Sequence, residues 1–168
     1  DSENFLKVLS ECSSQTNSHL MKILPNVNNG KLFEAIHYVI FSGGKRFRAF
    51  LTLQSAKLFD VPQEKALQAA SAVELIHAYS LVHDDLPSMD NDDLRRGKPT
   101  VHVKWDEATG ILVGDGLQAF AYEVLCKKET HDDPAVRLHL VKELARAAGF
   151  HGMVLGQAKD LEAERLLG

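Results

Sequence analysis

The stretch richest in side chains that could bind ions or take part in a reaction is HDDLPSMDNDDLRRGKPTVH, residues 83–102. Five aspartates fall within ten residues and three cationic side chains follow them: Asp84, Asp85, Asp90, Asp92 and Asp93, then Arg95, Arg96 and Lys98. Carboxylates are the hard oxygen ligands that Mg²⁺ prefers, and guanidinium groups bind phosphate through paired, charge-assisted hydrogen bonds. The stretch therefore predicts a site where metal ions and phosphate oxygens meet. The alternative is a solvated acidic loop whose charges are neutralised by weak surface ion pairs.

The aspartates follow a segment that reads as a buried helix. AASAVELIHAYSLVHDD, residues 69–85, is apolar on nearly every side, which is typical of a helix enclosed by neighbours. Its polar residues nevertheless fall within one arc of about 120°: Glu74, His77, Ser80 and Asp84. Pro87 ends the helix, and Asp90 comes six residues after Asp84. A chain that folds back after Pro87 is therefore needed to bring both carboxylates to one ion.

A second basic segment lies upstream, in SGGKRFR, residues 42–48. Two glycines precede Lys45, Arg46 and Arg48 where a helix is predicted to begin. A helix N-terminus favours anions, so three cations placed there conflict with the local field unless an anion is shared. The spacing does not match a Walker A loop, which needs Ser or Thr after its Lys. The segment is a candidate phosphate site.

Two further apolar segments also carry polar residues along one face of the predicted helix, an arrangement that we call a polar stripe. TGILVGDGLQAFAYEVL carries Asp115, Gln118 and Tyr122, and HGMVLGQAKDLEAERLL carries Gln157, Asp160 and Glu164. Because burying polar groups without partners is costly, three buried helices with one polar stripe each predict a shared polar cavity inside a helical bundle. Interhelical hydrogen bonds in a solid core, or exposed faces, are the alternatives. Gly110 and Gly114, one turn apart, predict close helix packing.

The whole chain is typical of one globular all-α domain spanning residues 1–168. Its 168 residues are 45% hydrophobic and 25% charged, and the alternation that marks strands is almost absent. Helical periodicity predicts helices at about 3–24, 31–42, 46–59, 63–85, 106–128 and 135–166, the last with a possible break at Gly149–Gly152. The fold class is therefore an all-α helical bundle.

Charge and composition narrow the partners and the compartment. A net charge of −4 argues against broad nucleic-acid binding. No apolar run reaches ~18 residues, so no membrane span is expected. The N-terminal sequence lacks the basic and apolar regions of a signal peptide. Two cysteines, Cys12 and Cys126, are too few for a disulfide framework, which favours a reducing cytoplasm.

Taken in order, GGKRFR, ELIHAYSLVHDDLPSMDNDDLRRGKPTVH, GDGLQAFAYEVL and GMVLGQAKDLEAE resemble the trans-isoprenyl diphosphate synthases. The aspartate block is similar to the family's first aspartate-rich motif in its form with two extra residues. Tyr79, five positions before Asp84, makes the bacterial farnesyl diphosphate synthases the closer likeness. The family's second aspartate-rich motif is absent from the sequence. We therefore expect the N-terminal part of an isoprenoid synthase bundle, incomplete at its C-terminus.

The resemblance implies a metal site and an allylic site beside each other. Asp84 and Asp90, with Asp85 near them, would hold Mg²⁺, with Mn²⁺ as an alternative, against the diphosphate of an allylic substrate. Arg95 would clamp the same diphosphate. Gln157 would face the reaction centre near the allylic carbon, with Asp160 close to it.

The resemblance also implies a second diphosphate site and a pocket floor. Lys45, Arg48, His77 and Arg96 would hold the diphosphate of isopentenyl diphosphate. Ser80, on the same stripe as His77, belongs with the substrate-binding residues. Tyr79 would help close the floor of the pocket and limit product length, although on an ideal helix it lies about 140° from Asp84.

The implied activity is condensation of dimethylallyl or geranyl diphosphate with isopentenyl diphosphate to give farnesyl diphosphate. The family implies a homodimer. Three alternatives stay open: a geranylgeranyl or other short-chain prenyl synthase, a non-catalytic synthase-like regulatory subunit, and an HD-type phosphohydrolase built on His83–Asp84. The hydrolase reading leaves both basic segments without a role.

Overall fold

The computed structural model describes residues 2–167, and helices dominate this part of the chain. The helices are α1 (Ser2–Ile23), α2 (Lys31–Phe41), α3 (Phe47–Leu58), α4 (Gln63–Asp84), α5 (Val101–Lys104), α6 (Glu107–Cys126), α7 (Pro134–Ala148) and α8 (Met153–Leu167). A 3₁₀ turn covers Val27–Asn29, and a short antiparallel hairpin joins β1 (Leu94–Arg95) to β2 (Lys98–Pro99). The all-α prediction is confirmed. No helix within residues 2–167 combines the length and apolar character needed to cross a membrane.

Helix α4 lies at the centre of the fold and is buried along most of its length. It packs along α6 and α3, with α1 and α2 on its remaining sides. Its bounds agree with the predicted helix at 63–85 because Pro62 precedes the first turn and Pro87 follows the last. Its all-round apolar composition indicated this enclosed position. Every polar side chain on α4 must therefore find a partner or line a cavity.

The core is built from aliphatic side chains that α2, α4 and α6 press together. Leu75 from α4 and Ile40 from α2 are fully enclosed with Val113 and Leu117 from α6. Burying each such side chain contributes about 1.5–3 kcal/mol. A smaller cluster between α1, α3 and α4 contains Leu53 and holds α3 on the opposite side of α4. The basic segment before α3 is thereby fixed to the same helix that carries the aspartates.

Helix ends follow local capping signals. The Asp106 carboxylate accepts a 2.7 Å hydrogen bond from the Thr109 backbone N–H and so begins α6. Asp133 caps α7 in the same way, and Pro134 occupies its first position. Gly149 follows the last turn of α7. The predicted break between residues 149 and 152 is confirmed, since α8 begins only at Met153.

Two short elements were not predicted. The hairpin β1–β2 and the single turn α5 lie where the sequence indicated only a loop. The Tyr38 hydroxyl donates a 2.8 Å hydrogen bond to the Pro99 carbonyl, and the Tyr38 ring meets the Trp105 ring edge-on at 5.2 Å. These contacts join the hairpin and α5 to α2. Elements of two to four residues leave too little periodicity to be recognised.

The prediction that all three striped helices are buried is wrong for α8. Most of its side chains are exposed, including Val154, Leu155 and Asp160. Within residues 2–167, α8 packs mainly on α7, so its apolar residues have few neighbours. Helix α4 is buried as predicted, whereas α6 is buried along one face and exposes Ile111 and Leu112 on the other.

Close packing at the two glycines of α6 is confirmed. A Cβ at Gly110 would stand 3.0 Å from the Leu86 side chain, and one at Gly114 would stand 2.0 Å from His83 Nε2. The His83 ring is held there by a 3.0 Å hydrogen bond to the Ile111 carbonyl. The absence of a side chain at residue 114 therefore lets α4 and α6 meet.

We expect Gly114→Ala to lower the free energy of unfolding by about 1–3 kcal/mol, because the new methyl group must displace the His83 ring. Gly116→Ala is the matched control, since a Cβ there would meet nothing closer than 3.9 Å. In a helix that control should gain about 0.5–1 kcal/mol. Urea denaturation of both variants checks the difference. Equal stability of the two would contradict the packing role of Gly114.

Candidate functional site

The chain after α4 folds back onto the end of the helix. The Asp90 N–H donates to the Asp84 carbonyl at 2.8 Å, and the Asp92 N–H donates to the Asp85 carbonyl at 3.1 Å. The buried Thr100 hydroxyl closes this loop by donating to the Asp92 carbonyl at 2.8 Å. The chain therefore folds back after Pro87, as the sequence requires if Asp84 and Asp90 are to meet at one ion.

Asp84 occupies an acidic environment at this helix end. Burial raises the pKa of the Asp84 carboxyl, and the charge of Asp90 raises it further, whereas Arg95 opposes the shift. Gln157 Nε2 donates a 2.6 Å hydrogen bond to Asp84 Oδ1, so α8 meets α4 at this carboxylate. Because burial and the Asp90 charge disfavour the charged form of Asp84, a cation bound at this carboxylate would stabilise it.

Asp85 is engaged differently from its neighbour. It is 4% exposed, and its carboxylate accepts from Arg95 Nη2 at 2.7 Å and from Arg95 Nε at 2.9 Å. These hydrogen bonds are the main reason that the pKa of Arg95 is raised. The structure therefore pairs Asp85 with Arg95, and the predicted metal role of Asp85 stays a prediction.

The donor set at the end of α4 fits Mg²⁺. The part of the chain that the structure describes contains no cluster of three or more His, Cys, Asp or Glu side chains placed for a metal ion. Mg²⁺ does not need such a cluster, because it keeps several waters and is commonly bound by one or two carboxylates with substrate phosphates. Asp84 and Asp90 supply that number of hard oxygen ligands.

The basic segment meets α4 one to two turns before the aspartates. Arg48 Nη1 lies 3.4 Å from His77 Nε2, and Lys45 and Arg48 are both exposed. Burial lowers the pKa of His77, and the Arg48 charge lowers it further, so the ring is neutral at neutral pH. The Ser80 hydroxyl donates to the His77 carbonyl at 2.7 Å and is satisfied within its own helix.

The hairpin brings Arg96 to the same place. Arg96 Nη1 donates to the Gly43 carbonyl at 2.7 Å, and the guanidinium group lies where a Cβ on Gly44 would be 3.1 Å away. Gly43 and Gly44 have φ values of 117° and 122°, which side chains rarely adopt. The two glycines therefore allow Arg96, 53 residues along the chain, to approach the basic segment.

Arg46 is one of the three cations that the sequence places, against the local field, at the start of α3. No role was assigned to it from the sequence. It is 8% exposed and shares its guanidinium group among Glu74, Asn17 Oδ1 and the Ile40 carbonyl. Two cations of the segment, Lys45 and Arg48, are left at the surface. The signal that could have revealed the pair was Glu74, which the sequence placed on the polar stripe without a partner.

Tyr79 packs in the core beside His83, and its place in the floor of the substrate pocket stays a prediction. It is buried, and its ring meets the His83 ring edge-on at 5.4 Å. Burial raises the pKa of Tyr79, and the nearby Asp84 charge raises it further. The His83 ring faces the Ile111 carbonyl of α6, an arrangement that does not favour a His83–Asp84 metal pair of the HD type.

One cavity connects the two basic groups. It has a volume of about 60 Å³ and is lined by apolar side chains of α2, α4 and α5 together with polar side chains from α4, the hairpin and the segment before α3: Arg46, Glu74, His77, Asp85, Arg95 and Arg96. The predicted cavity shared by α4, α6 and α8 stays a prediction. At Gly114, α6 packs directly against the His83 ring of α4.

The comparisons with known proteins agree with this architecture. Residues 29–166 match the family model described as polyprenyl synthetase. The chain is 50% identical over 135 residues to a farnesyl diphosphate synthase of Geobacillus stearothermophilus, covering 80% of this chain and 46% of the relative. It is 46% identical over 150 residues to geranylgeranyl pyrophosphate synthase 4 of Arabidopsis thaliana, covering 89% and 40%.

A solved apo structure described as a FPP/GFPP synthase from Zymomonas mobilis superposes with a TM-score of 0.92 at 45% identity. The superposition covers 98% of this chain and 60% of the other. The chain belongs to the polyprenyl synthetase family. It spans about half the length of the curated relatives that it matches.

Proposed function

We propose that this chain provides one wall of the active site of a trans-prenyltransferase that condenses an allylic diphosphate with isopentenyl diphosphate. The observation that supports this most is the arrangement at the end of α4. The Asp84–Asp90 pair stands beside Arg95, while Arg48, His77 and Arg96 form a separate basic group. One acidic and two basic groups fit two diphosphate substrates that meet at one metal site.

The chain's residues position both substrates in this proposal. Arg95, oriented by Asp85, donates to the allylic diphosphate, and Asp84 and Asp90 are the residues that would hold Mg²⁺ there. Lys45, Arg48, His77 and Arg96 hold the diphosphate of isopentenyl diphosphate, so that its double bond faces the allylic carbon. When bound, Mg²⁺ supplies Lewis-acid neutralisation of the charge that develops on the leaving diphosphate.

The apolar faces of α4 and α6 complete the environment. Gln157, bonded to Asp84, is placed to face the allylic carbon. Enclosure by apolar side chains excludes the water that would otherwise quench an allylic cation. We propose that Asp160 and Ser80 act only at the edge of the site, since Asp160 is exposed and the Ser80 hydroxyl is satisfied.

The experiment that tests the proposal incubates the natural protein at full length with dimethylallyl diphosphate, isopentenyl diphosphate and Mg²⁺. Mass spectrometry of the extracted products should show farnesyl diphosphate. Phosphate release from nucleotides without any prenyl product would instead support the phosphohydrolase reading. Turnover that begins only after a second synthase chain is added would support a regulatory subunit.

The farnesyl product is proposed over geranylgeranyl on the basis of Tyr79. We expect Tyr79→Ala in the natural full-length enzyme to shift the product towards geranylgeranyl and longer chains, because removing this buried ring opens space in the core near Asp84 for a longer prenyl tail. Chromatography of the dephosphorylated alcohols measures the shift. Phe59→Ala, which removes an aromatic ring that is 80% exposed at the end of α3, is the matched control and should leave the product unchanged. An unchanged farnesyl product from the first variant would remove Tyr79 from the pocket floor.

We propose a homodimer as the functional assembly and the cytoplasm as its location. The apolar side chains of Ile111 and Leu112 are exposed on α6, where a second copy would cover them. Both cysteines are free in the structure, which fits a reducing compartment. Sedimentation of the natural protein tests the assembly.

A further inference from the structure

Glu74 is a buried carboxylate that no step of the proposed reaction uses. It lies on α4 one turn before His77 and is 3% exposed. Oε1 accepts a 3.0 Å hydrogen bond from the Ala49 backbone N–H, and Oε2 lies 3.4 Å from Arg46 Nη1. Burying a carboxylate is costly unless it is paired and hydrogen-bonded, and these two contacts offset that cost at Glu74.

Both contacts of Glu74 lie at the start of α3. Arg46 belongs to the segment Gly43–Arg48, which leads into the helix, and Ala49 belongs to the first turn of α3. Arg46 precedes the helix with φ of 53° and ψ of 39°, a left-handed conformation that is strained for a residue other than glycine. Arg46 Nε also donates a 2.9 Å hydrogen bond to Asn17 Oδ1. The segment therefore holds a strained turn that is offset by a buried ion pair reaching 28 residues along the chain.

The strained turn decides where the surface cations stand. Lys45 precedes Arg46 directly and Arg48 follows two residues later, and both are exposed. Arg48 reaches His77 at 3.4 Å, while Arg96 bonds the Gly43 carbonyl at 2.7 Å. All the groups assigned to the isopentenyl diphosphate site thus surround the turn that Glu74 fixes, and none of them bonds Glu74 itself.

We propose that Glu74 is a positioning residue for the isopentenyl diphosphate site, acting through Arg46 and Ala49 to hold the segment Gly43–Arg48 in its binding register. This inference rests on the proposed function. A general structural defect in α4 would affect both substrate sites, because α4 carries the aspartates as well. The proposed role of Glu74 concerns only the segment Gly43–Arg48. Loss of Glu74 should therefore affect one substrate and spare the other.

The test uses Glu74→Gln in the natural full-length enzyme, with steady-state kinetics for both substrates. Glutamine keeps an acceptor for the Ala49 N–H but leaves Arg46 without a counter-charge. We expect KM for isopentenyl diphosphate to rise about tenfold or more, while KM for the allylic diphosphate changes by less than about twofold. Glu64→Gln, an exposed glutamate in the first turn of the same helix, is the matched control and should leave both unchanged.

A double variant, Arg46→Met with Glu74→Gln, keeps the test decisive if the single variant folds poorly. Removing both buried charges should restore the melting temperature, because an unpaired charge is then no longer enclosed. KM for isopentenyl diphosphate should stay raised, because Arg46 no longer fixes the turn. Recovery of KM together with the melting temperature, or equal changes in both KM values, would overturn the positioning role. A wild-type protein that neither binds isopentenyl diphosphate nor forms prenyl product would overturn the proposed function itself, and this inference with it.

Discussion

Asp84→Asn is expected to lower kcat for prenyl transfer about 10³-fold, equivalent to ~4 kcal/mol of transition-state stabilisation. The amide keeps the size of the side chain and its contact with Gln157, but it removes the charge that would bind Mg²⁺. Asp84 is already held in an environment where burial and Asp90 disfavour ionisation, so the cation and the carboxylate stabilise each other. Single-turnover kinetics with saturating substrates measures the change.

Asp93→Asn is the matched control for the Asp84 variant. Asp93 belongs to the same acidic stretch, yet its side chain is exposed and only its backbone carbonyl is used, by Thr100. We expect its kcat to stay within about twofold of the wild type. If both variants lose activity equally, the acidic stretch acts through its total charge, and the assignment of Asp84 is wrong.

The second large effect is expected at the adjacent aspartate, where Asp85→Asn should raise KM for the allylic diphosphate about 10²-fold with a smaller change in kcat. Asp85 orients the Arg95 guanidinium through hydrogen bonds of 2.7 and 2.9 Å. The variant leaves Arg95 without its counter-charge, which should also lower the free energy of unfolding by about 1–3 kcal/mol. Steady-state kinetics and urea denaturation measure the two effects.

A double-mutant cycle with Arg95→Gln tests whether the two residues act as a unit. If Asp85 works through Arg95, the double variant should be little worse than Arg95→Gln alone, because the interaction is already lost. Strict additivity of the two changes in KM would contradict this arrangement. A kcat loss at Asp85 as large as that at Asp84 would instead support Asp85 as a metal ligand.

The long helices could be predicted because the signals that define them are local. Prolines bracket α4, Asp106 and Asp133 cap α6 and α7, and the apolar composition of α4 indicated its central position. The return of the chain that brings Asp90 back to Asp84 could also be predicted. Pro87 requires a break in the helix, and the short spacing between the two aspartates leaves few paths for the loop.

The features that escaped prediction depend on contacts between distant residues. The Arg46–Glu74 pair joins residues 28 apart, and Tyr38 anchors the hairpin from 61 residues away. Sequence spacing does not reveal which of several cations a buried carboxylate will choose. The prediction that α8 is buried was wrong for a related reason. Its apolar residues indicated burial, but periodicity alone does not show whether a neighbouring element covers them.

We propose that the end of α4 holds two diphosphate sites, one that depends on metal and one that does not. The most direct measurement is calorimetric titration of the natural full-length protein with isopentenyl diphosphate and with a non-ionisable thiolo analogue of dimethylallyl diphosphate, each with Mg²⁺ and with chelator. We predict that the analogue binds only with Mg²⁺ and that Asp84→Asn abolishes this binding. Isopentenyl diphosphate should bind with or without the metal and lose affinity in Arg48→Gln. Equal metal dependence of the two ligands, or binding of the analogue that is indifferent to both Mg²⁺ and Asp84, would contradict the account.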